Sequence, residues 1–234
     1  DAMRRDFTIN SIYMKISGEI VDPLNSLDDL LARKVKFIGN ADERIKEDKL
    51  RILRFFRFLA EFDKSIEDID TITLKALKKY KKDLKLISKE RLRMELERII
   101  SVYTPQKMFS IMISLGILDD IFPPIKIDGL RQLLKAEKKY HITAPPLVRL
   151  LSLNLAIGDN WSKYVALSKK EKRFLEDISQ SLETYSELMV VAYKFGPNVA
   201  ESWLLNSGNE VSKVKPNEVK KIIANGCKVL FPIK

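Results

Sequence analysis

The side chains with the clearest chemical potential lie in one stretch, Glu47-Asp48-Lys49-Leu50-Arg51-Ile52-Leu53-Arg54-Phe55-Phe56-Arg57-Phe58. If this stretch is one helix, with about 100° per residue, Glu47, Arg51 and Arg54 share a sector of about 60°. Asp48 and Arg57 then flank that sector on opposite sides. A carboxylate accepts hydrogen bonds and a guanidinium donates several in a fixed fork, so such a face can recognise a nucleobase edge or phosphate groups.

The arginines of this stretch have two interpretations. Apolar residues are too numerous for one amphipathic stripe, so the helix is expected to be packed on most sides, where an unpaired charge is costly. The arginines can therefore belong to an internal salt-bridge network completed by Glu61, Asp63 or other acids. Alternatively, Asp48 and Arg51 form an acceptor and donor pair for a base, while Arg54 and Arg57 face phosphates.

The composition permits a polyanionic partner but does not require one. The 234 residues include 42 Lys and Arg against 32 Asp and Glu, a net charge of +10 that favours nucleic acid or simply serves solubility. One cysteine and one histidine leave no Cys/His zinc cluster. No apolar run approaches the roughly 20 residues of a membrane span, so we expect a cytoplasmic protein without a membrane partner. Trp161, Trp203, His141 and Cys227 are expected to be packing residues.

The elements that must position these side chains change character near Asn40. Before it, residues 7–13 and 19–21 are short and β-friendly, with a turn at Gly18-Glu19, and 35–38 is a further candidate strand. After it, apolar residues recur three and four apart in 45–62, 69–80, 88–102 and 105–115, which predicts helices. The predicted fold class is mainly α, with a small α/β beginning followed by a long helical array.

Four short motifs occur in a fixed order along the first hundred residues. They are Arg4-Arg5-Asp6-Phe7-Thr8, Asp22-Pro23 through Asp29-Leu30, Glu47-Asp48-x-x-Arg51 with Arg54, and Ser88-x-x-Arg91-x-x-x-Glu95-Leu96. In this order they resemble the motifs of class II tRNA nucleotidyltransferases and bacterial poly(A) polymerases. The resemblance implies the remnant of an α/β nucleotidyltransferase head in 1–46, a helical neck with the nucleotide-selecting helix in 47–104, and an RNA-binding helical body with the start of a tail in 105–234.

The resemblance also implies roles for individual residues. The Arg-Arg-Asp segment would lie beside the phosphate and ribose of the nucleotide, and Asp48 and Arg51 would pair with the base of CTP or ATP in a Watson-Crick-like manner. Arg54 and Arg57 would lie near the triphosphate or support that pair, and Glu47 would orient an arginine. The nucleotide-binding set implied in this way is Arg5, Asp6, Asp48, Arg51, Arg54 and Arg57.

The segment of Ser88, Arg91 and Glu95 has two interpretations of equal weight. By resemblance, it helps the neck to support the nucleotide pocket. By local pattern, Ser88 caps a helix on which Arg91 and Glu95 form an ordinary surface ion pair four residues apart.

Two departures from the family pattern affect the predicted chemistry. The loop after Asp22-Pro23 has Asn25-Ser26 where the family has paired glycines. Their Cβ atoms restrict positive φ, although Asn tolerates it better than most residues, so an altered loop geometry is expected. The metal-binding carboxylates of the family should precede Arg4, so we expect no catalytic and no metal-binding residue in this chain. The Mg²⁺ cofactor is expected to bind in a missing N-terminal part. Asp22 is expected to lie in a loop, and Asp28 and Asp29 are expected to cap the start of a helix.

The predicted function is that of a partial tRNA nucleotidyltransferase, which when complete adds CMP and AMP from CTP and ATP to the tRNA 3′ end. The expected partners are tRNA, CTP and ATP, with a separate N-terminal polypeptide as a further one. A poly(A) polymerase and a non-catalytic split or decayed fragment that binds tRNA or nucleotide remain alternatives. Lysines and an arginine of the helical remainder are candidate phosphate contacts or solvated helix faces: Lys135, Lys138, Lys139, Lys169, Lys170, Lys172 and Arg173.

Overall fold

A computed structural model describes residues 1–153, 161–207 and 214–228, and the predicted break at Gly158-Asp159 lies outside these residues. The chain divides into two compact units, Asp1–Pro123 and Pro124–Lys234. The mainly α fold class is confirmed, because short strands and 3-10 turns are followed by a succession of helices. None of the helices in the described part of the chain has the length and apolar character to cross a membrane.

The first unit begins with a small β segment. Strands β1 (Tyr13–Met14) and β2 (Ile20–Val21) pair antiparallel, and Gly18 takes a φ of +85° in the turn between them. The predicted strand over 7–13 is wrong for Thr8–Asn10, which form a 3-10 turn. Phe7 makes an isolated antiparallel bridge to Phe37, so the candidate strand at 35–38 contributes one bridging residue.

Six helices complete the first unit. They are α1 (Leu27–Leu31), α2 (Ala41–Glu47), α3 (Arg51–Glu61), α4 (Thr71–Tyr80), α5 (Lys89–Ile100) and α6 (Pro105–Ser114). Asn25 adopts a φ of +51°, a conformation that asparagine tolerates better than most residues. Asp22 lies in the preceding loop, and its carboxylate accepts a hydrogen bond from the Leu27 amide at the start of α1 at 2.8 Å.

The predicted continuous helix over 45–62 is interrupted between Glu47 and Arg51. Asp48 has extended backbone angles, φ −146° and ψ 109°, and its Oδ1 accepts from the Leu50 amide at 3.1 Å. An Asp side chain that bonds to a nearby amide competes with helical hydrogen bonding, which is why Asp is favoured at helix starts. The prediction that Glu47 and Asp48 share a helix with Arg51 is therefore wrong.

Helix α3 lies in the core of the first unit and packs against α5 and α6. Seven of its residues are buried, which confirms the prediction of packing on most sides. Its aromatic rings reach the β segment: the Phe7 ring centroid lies 4.7 Å from that of Phe37 and 5.4 Å from that of Phe58, and Phe37 stacks on Phe55 at 5.6 Å. These four rings form what we call the phenylalanine cluster.

In the described residues of the second unit, 124–153, 161–207 and 214–228, the structure has six α-helices. They are α7 (Ile127–Tyr140), α8 (Pro146–Leu151), α9 (Lys169–Thr184), α10 (Leu188–Phe195), α11 (Pro197–Asn206) and α12 (Val219–Lys228). Trp161 and Trp203 are buried as predicted. The same prediction is wrong for His141 and Cys227, because His141 is an exposed left-handed residue that ends α7 and Cys227 is exposed on α12.

Close backbone approach occurs where α7 meets the end of α8. A Cβ atom built on Gly129 would lie 2.1 Å from the carbonyl oxygen of Ser152, far inside van der Waals contact. Glycine at this position therefore lets the two backbones touch, despite its unfavourable entropy inside a helix.

Candidate functional site

Asp6 is the buried anchor of the N-terminal segment, held in place because Phe7 pairs with Phe37. Its Oδ1 accepts from the side-chain amide of Asn10 at 2.7 Å, and its Oδ2 accepts from Nε of Arg54 at 2.5 Å. Burial raises the pKa of Asp6, but the hydrogen bonds from Arg54 and Asn10 outweigh it and hold the pKa below the usual 3.8. The Arg-Arg-Asp segment is thereby tied to α3.

A chain of alternating charges continues from Arg54 into the core. Glu95 of α5 is fully buried, accepts from Nε of Arg57 at 2.8 Å and lies 3.6 Å from Arg54. Arg57 also donates to Glu61 at 2.8 Å, and its guanidinium lies 3.9 Å from the centre of the Phe58 ring. These contacts fit the salt-bridge network, and the near-complete burial of Arg57 favours support over a phosphate contact.

The predicted acid Asp63 takes no part in that network. It accepts from Lys107 at 3.1 Å and from Thr104 at 3.2 Å on the surface of the first unit. The prediction that an acid completes the pairing of the arginines is therefore confirmed for Glu61 and wrong for Asp63.

Arg51 begins α3 and is held on one side only. Its NH1 donates to the carbonyl oxygen of Arg44 at 2.8 Å and to Oε2 of Glu47 at 2.5 Å. Glu47 therefore orients Arg51, as the resemblance implied. Nε and NH2 of Arg51 make no hydrogen bond within the described residues, and the side chain is 14% exposed, so two donors have no acceptor from this part of the chain.

Asp48 lies in the interruption between α2 and α3. Its Oδ2 accepts from NH2 of Arg91 at 2.7 Å, and the side chains of Asp48 and Arg91 are 34% and 49% exposed. An exposed ion pair of this kind is weak and exchanges readily with other partners, so Asp48 can offer its oxygen to another donor.

Arg5 is the most open member of the predicted set. It pairs with Asp1 at 3.0 Å, and its guanidinium lies 5.9 Å from the centre of the Tyr13 ring. Its side chain is 49% exposed, which leaves it able to reach an anionic ligand.

The structure brings the third and fourth motifs together. Ser88 caps α5 by accepting from the Arg91 amide, as predicted, but the predicted surface pair between Arg91 and Glu95 is wrong. Arg91 reaches Asp48, and Glu95 reaches Arg57. Both residues support the set around α3.

Sequence reasoning missed Arg44, which bonds to Arg5, Glu47 and, through its carbonyl oxygen, Arg51. No spacing signal relates it to Arg5, 39 residues away. Its position three residues before Glu47, on the preceding turn, was the signal that could have identified it.

The described residues do not fit a resident metal ion. Within residues 1–153, 161–207 and 214–228, no three His, Cys, Asp or Glu side chains are grouped closely enough to hold one. Asp22 caps α1, and Asp28 and Asp29 lie in its first turn. The basic residues predicted as phosphate contacts or solvated faces are exposed on α7 and α9.

Comparison with protein families matches two parts of the chain. Residues 1–36 match the family described as the poly A polymerase head domain. Residues 68–127 match the family described as a probable RNA and SrmB-binding site of polymerase A.

Curated relatives match in sequence. The mitochondrial CCA tRNA nucleotidyltransferase 1 of Mus musculus is 35% identical over 175 residues, which cover 74% of this chain and 40% of the mouse protein. The CCA-adding enzyme of Limosilactobacillus reuteri (strain DSM 20016) is 41% identical over 105 residues, 45% of this chain and 25% of that enzyme. The chain thus spans less than half the length of these relatives.

Solved structures match in fold. The Bacillus stearothermophilus CCA-adding enzyme in complex with CTP superposes with a TM-score of 0.73 at 20% identity, covering 97% of this chain and 58% of the enzyme. The Thermotoga maritima CCA-adding enzyme complexed with tRNA gives a TM-score of 0.66 at 18% identity, covering 100% and 62%. At these identities the likeness shows the fold.

Proposed function

We propose that this chain, which belongs to the nucleotidyltransferase family of CCA-adding enzymes and poly(A) polymerases, is the nucleotide-selecting and RNA-holding part of a CCA-adding enzyme. The enzyme would transfer CMP and AMP from CTP and ATP to the tRNA 3′ end and release pyrophosphate. The observation that carries the proposal is the pair of Asp48 and Arg51 at the interruption between α2 and α3, where the Arg51 amide donates to the Asp48 carbonyl oxygen at 3.1 Å.

The chemistry of this pair selects bases by their hydrogen-bonding edges. Asp48 accepts from the exocyclic amine of cytosine or adenine, and Arg51 donates through its open Nε and NH2 to a ring nitrogen or a carbonyl oxygen. Guanine and uracil present a carbonyl where the carboxylate needs a donor, so they are rejected. Because Asp48 lies outside α3, its side chain can turn between the two accepted bases without disturbing that helix.

The remaining residues of the predicted set act around the base-selecting pair. Arg5, half exposed, would contact phosphate or ribose, and Asp6 would fix the Arg5 segment. Arg54 would lie between Asp6 and the nucleotide, and Arg57 would support α3 from within the core. We accordingly assign 1–46 to the head, 47–104 to the neck and 105–234 to the RNA-holding body and the start of the tail.

The RNA partner is proposed to be tRNA. The net charge of +10 favours phosphate contacts, and a solved neighbour is a CCA-adding enzyme complexed with tRNA. Enzymes of this family use a divalent metal, which when bound orients the attacking hydroxyl and stabilises the departing pyrophosphate. Since the described residues do not fit a metal, we assign Mg²⁺ to residues outside them, in the same or a separate polypeptide. We place the activity in the cytoplasm.

Polyadenylation is the second candidate function, because both family matches carry poly(A) polymerase descriptions. The two candidates differ in nucleotide use. A CCA-adding enzyme accepts CTP alongside ATP and stops after three additions. A poly(A) polymerase uses ATP alone and extends arbitrary RNA.

The proposal is tested by equilibrium binding of labelled CTP and ATP to the chain and to its Asp48→Ala and Arg51→Ala variants. Each variant should bind both nucleotides about tenfold to a hundredfold more weakly, since a bidentate base contact is worth about 1–3 kcal/mol. Arg93→Ala, which removes an arginine paired with Glu97 on α5, serves as the control and should bind like the parent. Unchanged binding in both site variants contradicts the proposal.

A second measurement separates the candidate functions. Labelled CTP and ATP are offered with tRNA that lacks its CCA end, to the chain alone and together with a nucleotidyltransferase head supplied as a separate polypeptide. Incorporation of both nucleotides, in the mixture only, supports a split CCA-adding enzyme. ATP-only extension of unrelated RNA supports polyadenylation, and binding without incorporation in either case supports a non-catalytic fragment.

A further inference from the structure

Arg44 of α2 connects the two segments to which the proposed function assigns nucleotide contacts. Its NH2 donates to the carbonyl oxygen of Arg5, and its NH1 donates to Oε2 of Glu47 at 2.7 Å. Its own carbonyl oxygen accepts from NH1 of Arg51 at 2.8 Å. One residue thus bonds to the sugar-side segment and to the base-selecting arginine.

The contacts of Arg44 fix the backbone at Arg5 and the side chain of Glu47. The carbonyl oxygen of Arg5 belongs to the peptide bond that leads into Asp6, whose carboxylate is held independently by Arg54. On the other side, Oε2 of Glu47 receives donors from Arg44 and from Arg51 together. The Arg44 side chain therefore helps to fix the backbone before Asp6 directly and the guanidinium of Arg51 through Glu47.

The chemistry of this position calls for a guanidinium. The Arg44 side chain is only 12% exposed, and its Nε is buried with no hydrogen-bond partner among the described residues, an arrangement that costs stability. A residue needed only for packing would avoid that cost. The planar fork lets one side chain donate to a carbonyl oxygen and a carboxylate at once, which a lysine ammonium on a flexible stem does not reproduce.

We infer that Arg44 is a positioning residue that sets the distance between the Arg5-Asp6 segment and Arg51, and so contributes to the choice of base. The inference rests on the proposed function, because it assigns Arg51 to the base and Arg5-Asp6 to the sugar and phosphate. Arg44 itself contacts neither. Arg44 affects base selection by fixing the position of the Arg51 hydrogen-bond donors relative to the bound base.

The test compares Arg44→Lys with the control Arg93→Lys, which also removes a guanidinium fork from an ion pair, on α5. Equilibrium binding of CTP, ATP and UTP is measured for each variant, and circular dichroism monitors helix content. Arg44→Lys should weaken CTP and ATP binding about tenfold, the loss of roughly one good hydrogen-bonding contact, while UTP binding changes little. The preference for CTP over UTP then falls, and Arg93→Lys keeps it.

The possible results distinguish a failure of the role inferred for Arg44 from a failure of the proposed function. If the parent chain shows no preference for CTP and ATP over UTP, the proposed function fails and the inference fails with it. If the parent has the preference and Arg44→Lys retains it, the inference alone is overturned. If Arg44→Lys loses helix content, Glu47→Gln decides, because Glu47 is half exposed and links Arg44 to Arg51. A reduced preference supports the inference, and an unchanged one overturns it.

Discussion

Replacing Glu95 by alanine is expected to destabilise the first unit severely. Glu95 is fully buried and is the acceptor for Nε of Arg57, whose side chain is only 8% exposed. Removing one partner of a buried ion pair leaves a buried charge without compensation and typically costs about 3–5 kcal/mol. Arg57 retains Glu61, and Oε1 of Glu95 makes no hydrogen bond within the part of the chain that the structure describes, so we expect the lower end, about 3 kcal/mol.

The assay is urea unfolding followed by far-ultraviolet circular dichroism, with Glu97→Ala as the matched control. Glu97 lies on the same helix and pairs with Arg93, but both side chains are partly exposed, so its loss should cost less than about 1 kcal/mol. Replacing Glu95 by Leu and Arg57 by Met together should recover much of the stability, because neither charge is then buried. An effect of Glu95→Ala no larger than that of Glu97→Ala would refute the reasoning.

Two further predictions concern acid sensitivity and helix contact. Asp6→Asn should make unfolding less sensitive to acid. Hydrogen bonds from Arg54 and Asn10 lower the pKa of Asp6 in the folded state. The ionised carboxylate therefore contributes to the free energy of unfolding above about pH 4, and this contribution is lost as the pH falls towards the folded pKa. Melting temperatures across this range check it, and an identical acid profile in the variant contradicts it. Gly129→Ala, a change that usually stabilises a helix by about 0.4–1 kcal/mol, should instead lower the melting temperature, because the new methyl group would meet the Ser152 carbonyl oxygen. An unchanged or higher melting temperature would show that α7 and α8 separate freely.

Local signals in the sequence predicted local structure well. The helices at 71–80, 89–100 and 105–114 follow from apolar spacing, and the cap at Ser88 follows from its residue type. These features depend on neighbours within a few residues, which the sequence displays directly.

The failures share a different physical cause. Helical spacing placed Glu47 and Arg51 on one face of a continuous helix, but the Asp48 side chain bonds to the Leu50 amide and interrupts that helix. Two of the ion pairs join residues that are far apart along the chain: Glu95 lies 38 residues from Arg57, and Arg91 lies 43 residues from Asp48. Such pairings are set by how α3 and α5 pack, and periodicity within one element carries no information about them.

The phenylalanine cluster has a consequence for how the first unit opens. Very short strands and 3-10 turns ordinarily fray, and their amide protons exchange with solvent through local fluctuations. Here Phe7 and Phe37 share their contacts with Phe55 and Phe58 of α3, so the N-terminal segment cannot detach without exposing the core of that helix. The amides of Thr8 and Ile38 should therefore exchange as slowly as those of α3, and Asp6 behaves kinetically as part of a single cooperative folding unit.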